Sequence, residues 1–138
     1  MARPINKAEY EMLANFRYSL RQFLHFSEMA ARVGGITPQQ HQALLTIAGF
    51  PGREQVTVSE LAERLQIRHH SAVGLVDRLA AQGLVVRESG ELDRREVYIS
   101  LTSQGSAILA QLTATHREEL RRIGPQLNLL IEGLTADL

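Results

Sequence analysis

The apolar positions in the middle of the chain recur with helical spacing and predict two short helices in succession. Thr57 and Glu60 have the spacing of a capping box, which predicts that the first helix begins there. The second helix is predicted from His69 to Gln82, because its apolar residues recur at i, i+3, i+4 and i+7. These apolar residues are Ala72, Leu75, Val76 and Leu79. Only residues 66–69 link the two helices, so the helices should cross steeply, as in a helix-turn-helix.

A β-hairpin is predicted directly after the second helix. Gly83 follows the last helical turn, where a left-handed residue commonly ends a helix. Residues 84–88 and 96–101 have strand-like sequences, and the segment Ser-Gly-Glu-Leu-Asp at 89–93 contains the turn signal. The central segment is therefore predicted to be helix, helix and hairpin.

Two helices are predicted before this central segment. Residues 5–33 read as one long helix with two adjacent apolar stripes, a wider apolar face than one partner helix requires. This width indicates that the helix packs on its own domain and also on another subunit. Thr37 and Gln40 form a second capping box around Pro38, and Gly-Phe-Pro-Gly at 49–52 ends the helix that they begin.

The chain after the hairpin is also predicted to be helical. Thr102 caps a predicted helix that runs to about residue 123. The Gly-Pro pair at 124–125 is predicted to interrupt it, and a last helix is predicted from Pro125 to about residue 134. These terminal helices have no core of their own, so the first and last helices are expected to assemble across a two-fold dimer.

Composition favours one globular domain and excludes several functional classes. The 138 residues are 44% hydrophobic, enough for one domain with a core. Cysteine is absent, which excludes disulfides and thiolate metal sites. The sequence contains no apolar run long enough for a transmembrane helix, and the N-terminus lacks the apolar segment of a signal peptide. A cytoplasmic protein without membrane contact is therefore expected.

The charges balance, with 15 basic and 15 acidic residues. A net charge of zero does not by itself favour nucleic-acid binding. Fourteen of the basic residues are arginine, whose planar guanidinium suits phosphate and guanine contacts. We therefore expect the basic residues on one surface, many acids on another, and modest non-specific affinity.

The order of motifs in the central segment resembles the winged helix-turn-helix of the multiple-antibiotic-resistance regulators, the MarR family. The motifs are LAERL at 61–65, LVDRL at 75–79, Gly-Leu-Val at 83–85, Asp-Arg-Arg at 93–95, and Leu-Thr at 101–102 with Gly105. Together they cover about a third of the chain, residues 57–102 of 138.

The resemblance implies a mainly α fold with a small β-wing. Residues 37–102 would form a winged helix-turn-helix DNA-binding lobe, and residues 1–36 and 103–138 a helical dimerisation region. By analogy with the family, residues 53–56 would add a brief strand to the wing sheet.

The function implied by the resemblance is transcriptional regulation. The expected form is a ligand-responsive repressor that binds a palindromic operator in double-stranded DNA as a homodimer. An enzyme is not expected, because the serines lack a GxSxG context and the sequence has no Gly-rich phosphate loop. The alternative is a winged-helix module that binds a protein or RNA partner without specific DNA recognition. A steep salt dependence of binding to duplex DNA would separate these classes.

The second central helix holds the candidates for base contacts, because recognition helices present their N-terminal residues to base edges. His69 and His70 are the expected polar readers, unless they are solvated or one of them caps the helix. Ser71 shares their surface. Many family members have Ser or Thr followed by Arg where this chain has Val73-Gly74, and Val73 is suited to a thymine methyl group.

Arginines beside this helix are candidates for phosphate contacts. Arg68 and Arg78 flank the predicted base-contacting positions. An equal alternative for Arg78 is an ion pair with Asp77 or Glu63.

The hairpin tip carries the candidate wing contacts. The family uses the arginine of an Asp-x-Arg motif to enter the minor groove, with the aspartate orienting it. This role carries over to Asp93 and Arg95, and Arg94 would then reach phosphate. The alternative is a solvated turn.

A small aromatic or phenolic effector is a further expected partner, because family members often bind such ligands between the dimer helices and the DNA-binding lobe. The candidate residues, which combine apolar walls with carboxylate partners, are Arg17, Tyr18, Arg21, His25, Phe26 and His41. His25, His41 and His116 lie on three predicted helices without an HxxxH or HExxH pair, so no metal or other cofactor is expected.

Overall fold

The computed structural model describes residues 3–90, 93 and 95–136 and places them in five helices and three short strands. The elements in chain order are α1 (Lys7–Val33), α2 (Pro38–Ala48), β1 (Gln55–Val56), α3 (Val58–Leu65), α4 (His69–Ala81), β2 (Val85–Ser89), β3 (Val97–Leu101) and α5 (Ser103–Thr135). The predicted fold class, mainly α with a small β-wing, is confirmed.

The predicted helix starts are confirmed at the level of individual hydrogen bonds. At the start of α3, Thr57 Oγ1 accepts the Glu60 amide at 3.2 Å, and Glu60 Oε1 accepts the Thr57 amide at 2.9 Å. Thr37 and Gln40 make the same reciprocal pair at the start of α2. Each pair satisfies two polar groups that would otherwise lack an intrahelical partner.

One residue before α4 and one residue after it have a left-handed backbone conformation. Gln66 ends α3 with φ 56°, a conformation uncommon outside glycine. Gly83 follows α4 with φ 74°, as predicted. The Leu84 amide then donates to the Leu79 carbonyl at 3.0 Å, which closes the helix in a Schellman motif and turns the chain towards β2.

The strands form one antiparallel sheet in the order β1-β3-β2. The hairpin register pairs Val85 with Leu101, and the brief β1 strand pairs Gln55 with Ser100. The short strand expected from the family resemblance is therefore present. Residues 91 and 92 of the predicted turn lie outside the described residues.

The core lies where α2, α3 and α4 meet the sheet. Its largest fully buried side chains include Leu44, Ile47, Leu61, Leu75, Leu79 and Ile99. Burial of one such aliphatic side chain contributes about 1.5–3 kcal/mol, so this cluster holds the central helices and the wing together. The long helices α1 and α5 add Ala31, Leu109 and Leu112 to it.

α5 begins in direct contact with the chain between α4 and β2. Thr102 caps α5, because its Oγ1 accepts the Gly105 amide at 3.0 Å while donating to the Gly83 carbonyl at 2.6 Å. A Cβ at Gly105 would lie 2.2 Å from the Leu84 carbonyl oxygen. Only glycine permits this approach, which explains the glycine that follows the Leu-Thr motif.

The predicted interruption at Gly124-Pro125 is wrong, because α5 runs through Pro125 to Thr135. A proline removes one amide donor and kinks or breaks a helix, but packing against a neighbouring helix can override this local preference and support the helix. α1 supplies that support. A Cβ at Gly133 would lie 2.7 Å from Met12 Sδ, so α1 and α5 remain in close contact beyond the proline.

Candidate nucleic-acid interface

The predicted base-contacting residues lie together on the outward face of α4. The opposite face carries the four apolar residues of the predicted stripe, and all four are buried. His69, His70 and Ser71 are exposed in the first turn, and Val73 is 36% exposed in the next. The periodicity of the sequence therefore separated the core face of this helix from its solvent face.

The start of α4 leaves backbone donors facing outward. Arg68 is the N-cap residue, and its side chain has no acceptor for the first helical amides. Among the described residues no side chain caps this helix. Unpaired amides at a helix N-terminus, next to an exposed arginine, suit a phosphate group.

An ion pair connects the outward face of α4 to the wing. Asp77 on α4 binds Arg87 on β2, rather than Arg78 among the described ion pairs. Arg78 instead extends beside Gly74, where an added Cβ would lie 3.5 Å from its guanidinium nitrogen. Arg87 gives no signal of this pairing in the sequence, because its partner is ten residues away and on a different element.

The wing tip holds Arg95 in a defined direction. Asp93 Oδ1 accepts the Arg95 backbone amide at 3.0 Å and its Nε at 3.2 Å, and Oδ2 accepts Nη2 at 3.4 Å. These bonds, the backbone one first, lower the pKa of Asp93. The Arg95 side chain is nevertheless 93% exposed. Arg94 lies outside the described residues.

A cavity of about 470 Å³ lies where α2 meets α1 and α5. Its wall combines apolar and basic side chains, namely Phe23, His41, Leu45, Thr113, His116, Arg117, Leu120 and Arg121. The basic residues of this wall come from two helices, α2 and α5. Arg117 and Arg121 are not recognisable as site residues in the sequence, because they belong to a charged run that is typical of an exposed helix face.

The rings of two histidines are in contact at this junction. The rings of His41 and His116 lie 4.9 Å apart with an interplanar angle of 41°. His116 Nδ1 lies 2.7 Å from the Leu112 carbonyl, which can only accept, so this nitrogen carries the proton. Nε2 is hydrogen-bonded to the Ser27 hydroxyl at 2.8 Å. Burial, and secondly the charge of His116, lower the pKa of His41.

The other residues expected to bind an effector do not converge on this cavity. Arg17, Tyr18 and Arg21 are exposed on α1, and Tyr18 accepts a hydrogen bond from Gln22 at 3.1 Å. His25 and Phe26 line a neighbouring cavity of about 510 Å³ between α1 and α5. Only His41 of the six lies in the wall of the cavity at α2.

Two further properties bear on the site. Within the described ranges, no three His, Asp or Glu side chains are arranged to hold a metal ion. Nor is any described helix both long enough and apolar enough to span a membrane.

Comparison with known proteins shows a family likeness that is concentrated in the central part of the chain. The family model described as MarR family matches residues 34–96, from the end of α1 to the wing. The chain is 30% identical over 88 residues to the HTH-type transcriptional repressor MdtR of Bacillus subtilis (strain 168). This match covers 64% of the chain and 55% of the relative, so the chain spans little more than half of that protein.

Solved structures establish the fold over a longer stretch. AbsC, a MarR family transcriptional regulator from Streptomyces coelicolor, matches with a TM-score of 0.73 at 22% identity, over 97% of this chain and 94% of AbsC. A mutant of S. aureus MepR bound to an oligodeoxyribonucleotide matches with a TM-score of 0.66 at 21% identity. That match covers 82% of this chain and 81% of MepR.

The lowered pKa of His41 predicts a specific loss of stability in acid. The unfolded chain binds a proton at the ordinary histidine pKa, near 6.5, whereas the folded chain resists protonation. Above pH 6.5 the group is neutral in both states, and stability falls as the pH drops below that value. The fall in melting temperature between pH 7.5 and 5.5 should therefore be smaller in His41→Gln than in the wild type.

The control is His25→Gln, which removes a histidine from the exposed surface of α1. This variant should keep the wild-type fall in melting temperature. An equal fall in wild type and His41→Gln would contradict the assignment of the acid sensitivity to His41.

Proposed function

We propose that this chain is a MarR family transcriptional repressor that binds a palindromic site in double-stranded DNA as a homodimer. The observation that carries the proposal is the continuous surface formed by the outward face of α4 and the wing strand β2. The Asp77–Arg87 ion pair joins these two elements. A helix and a hairpin held in this way suit adjacent grooves of a duplex.

The proposal gives each part of the surface a role. His69 and His70 contact base edges in the major groove, with Ser71 beside them and Val73 against a thymine methyl group. Arg68 and Arg78 contact phosphates. Their outward positions on α4 support these roles.

The wing role falls to Arg95. Its guanidinium enters the minor groove of the DNA. Where the minor groove is narrow, its negative potential is stronger and attracts arginine. The exposure of the Arg95 side chain and its bonds to Asp93 support this role. Arg94, by the family analogy, contacts phosphate.

DNA duplexes selected from a random pool by the wild-type protein provide the test. Arg95→Ala should weaken binding to the selected duplex by roughly 5- to 150-fold, the range of one good groove contact. Arg95→Lys should recover only part, because lysine keeps the charge and loses the planar fork. Asp93→Ala should also weaken binding, because Arg95 loses its orienting partner. Titration by fluorescence anisotropy measures all three.

Glu88→Ala is the matched control, since it removes one acid from the wing without touching the Asp93–Arg95 pair. Simple electrostatics predicts tighter binding for both acid-to-alanine variants. Tighter binding by Asp93→Ala, with an unchanged melting temperature, would mean that Asp93 does not orient Arg95.

The double variant His69→Ala with His70→Ala tests the base contacts of α4. On the same set of duplexes it should flatten the preference among sequences. An unchanged ranking of the duplexes would mean that other residues contact the bases.

Dimerisation through α1 and α5 is supported by apolar side chains that these helices leave in solvent. Leu24 is 55% exposed on α1 and Leu129 is 70% exposed on α5, and others on the two helices include Leu13, Val33, Leu120 and Ile131. Burial of such side chains against a second copy would remove them from water at about 25 cal/mol per Å² of apolar surface.

Analytical ultracentrifugation at micromolar concentration should give a mass of about 31 kDa, twice the 15.4 kDa of one chain. Leu24→Glu should shift the mass towards the monomer, because a buried unpaired carboxylate is costly. Val86→Glu, which charges an exposed apolar position on the wing instead, should leave the dimer intact. A folded wild-type monomer at this concentration would refute the dimer.

An aromatic carboxylate or phenolate is the proposed effector, and the cavity between α2 and the long helices is its proposed site. Phe23, Leu45 and Leu120 offer an apolar wall for a ring, and Arg117 and Arg121 offer cations for an anionic group. A ligand here would lie between the DNA-binding lobe and the helices that join the subunits, and so would alter the spacing of the two lobes.

A panel of benzoates and phenols, assayed by thermal shift and by competition with DNA, tests this site. At least one compound should raise the melting temperature and weaken DNA binding. Arg117→Gln with Arg121→Gln should remove both effects, whereas Arg17→Gln with Arg21→Gln should preserve them. The reverse pattern would favour the exposed α1 residues, and a panel without any active compound would refute the effector.

A further inference from the structure

A stack of aromatic rings and guanidinium groups runs from α3 to the wing. The Arg53 guanidinium lies over the Phe50 ring at 4.6 Å and over the Tyr98 ring at 5.7 Å. The Arg64 guanidinium of α3 covers Phe50 at 5.0 Å. We call Tyr98, Arg53, Phe50 and Arg64 the arginine stack. It brings together α3, the loop before β1, and β3.

Arg53 is also bonded to the cap of α3. The Glu60 carboxylate uses Oε1 to accept the Thr57 amide and Oε2 to bind Arg53. Burial alone would raise the pKa of Glu60, but the bonds from Thr57 and Arg53 lower it. One carboxylate therefore closes the helix start and holds Arg53, whose side chain is 34% exposed.

The far end of the stack reaches the wing tip. The Tyr98 hydroxyl donates to Glu96 Oε2 at 2.7 Å. The Glu96 backbone closes the tip, because its amide donates to the Asp93 carbonyl at 3.1 Å and its carbonyl accepts the Gly90 amide at 2.8 Å. Arg95 lies between Asp93 and Glu96 in this turn. A continuous series of contacts thus joins the α3 cap to the segment that carries Arg95.

We propose that Arg53 is a positioning residue for the wing, fixing the angle at which Arg95 meets DNA. The inference rests on the proposed function of DNA binding. The stack suits this role because a guanidinium can lie flat between two rings while its edge binds a carboxylate. Lysine would keep the charge near Glu60 and lose the planar surface between Phe50 and Tyr98. The wing would then lose this link to the α3 cap and keep its other connections, the strand pairing and the Asp77–Arg87 ion pair.

A double-mutant cycle tests whether Arg53 acts through Arg95. On the selected duplex, Arg53→Lys alone should weaken binding by about five- to tenfold, a typical coupling for contacting groups. In the Arg95→Ala background the same change should have less than about a twofold effect. The control is Arg122→Lys, which alters an exposed arginine paired with Glu119 on α5. It should leave the DNA affinity unchanged both in the wild type and in the Arg95→Ala background.

A second variant changes Tyr98, at the end of the arginine stack that is nearest the wing tip. Tyr98→Phe keeps the ring beneath Arg53 and removes the bond to Glu96. Like Arg53→Lys, Tyr98→Phe should weaken DNA binding when Arg95 is present and have little effect in the Arg95→Ala background. This variant keeps the proposal testable if Arg53→Lys folds poorly. Equal losses in the wild-type and Arg95→Ala backgrounds would mean that Arg53 contacts DNA itself or acts on overall stability, and would overturn the proposal.

Hydrogen exchange supplies a readout that needs no DNA. The Gly90 and Glu96 amides, which close the wing tip, should exchange faster in Arg53→Lys than in the wild type. The amides of buried Leu75 and Val76 in α4 should be unchanged. Unchanged exchange at the tip would overturn the positioning role. Failure of the wild type to select any duplex would refute the proposed function, while faster exchange would still establish the link from Arg53 to the wing.

Discussion

The close approach of α5 to the end of α4 is the constraint on which the arrangement of the lobe and the long helices depends. Gly105 lies against the Leu84 carbonyl, and Thr102 binds the carbonyl of Gly83 while capping α5. Backbone touching backbone leaves no flexible side chain to absorb a displacement. The direction of α5 is therefore set relative to the outward face of α4.

A second junction, between α2 and the long helices, has the opposite character. Here His41, His116 and Ser27 meet beside a cavity, through a hydrogen bond and a contact between rings rather than a backbone contact. In the proposed function this junction, unlike the glycine junction, holds the anionic effector. Under the proposed function, a small ligand bound at the adaptable junction tilts the lobe about α5, which the glycine junction holds.

The structural features that were predicted correctly from the sequence are those that depend on local contacts. The caps of α2 and α3, the buried stripe of α4 and the left-handed Gly83 all depend on residues within about one helical turn. The pairing of Asp93 with Arg95 was equally accessible, because only one residue separates them along the chain. The helix break predicted at Gly124-Pro125 is wrong, because packing of α1 along α5 overrides the local tendency of this pair to end a helix.

The sequence by itself determined where α2 and α3 begin, which face of α4 meets the core, and that a hairpin follows α4. These follow from periodicity and from turn chemistry, which act over a few residues. Only the tertiary structure decided that Arg53 lies between Phe50 and Tyr98, that Asp77 binds Arg87, and that Arg117 and Arg121 line a cavity with His41. Those contacts join elements far apart along the chain, and packing of the shared core, rather than any local preference, brings them within reach of one another.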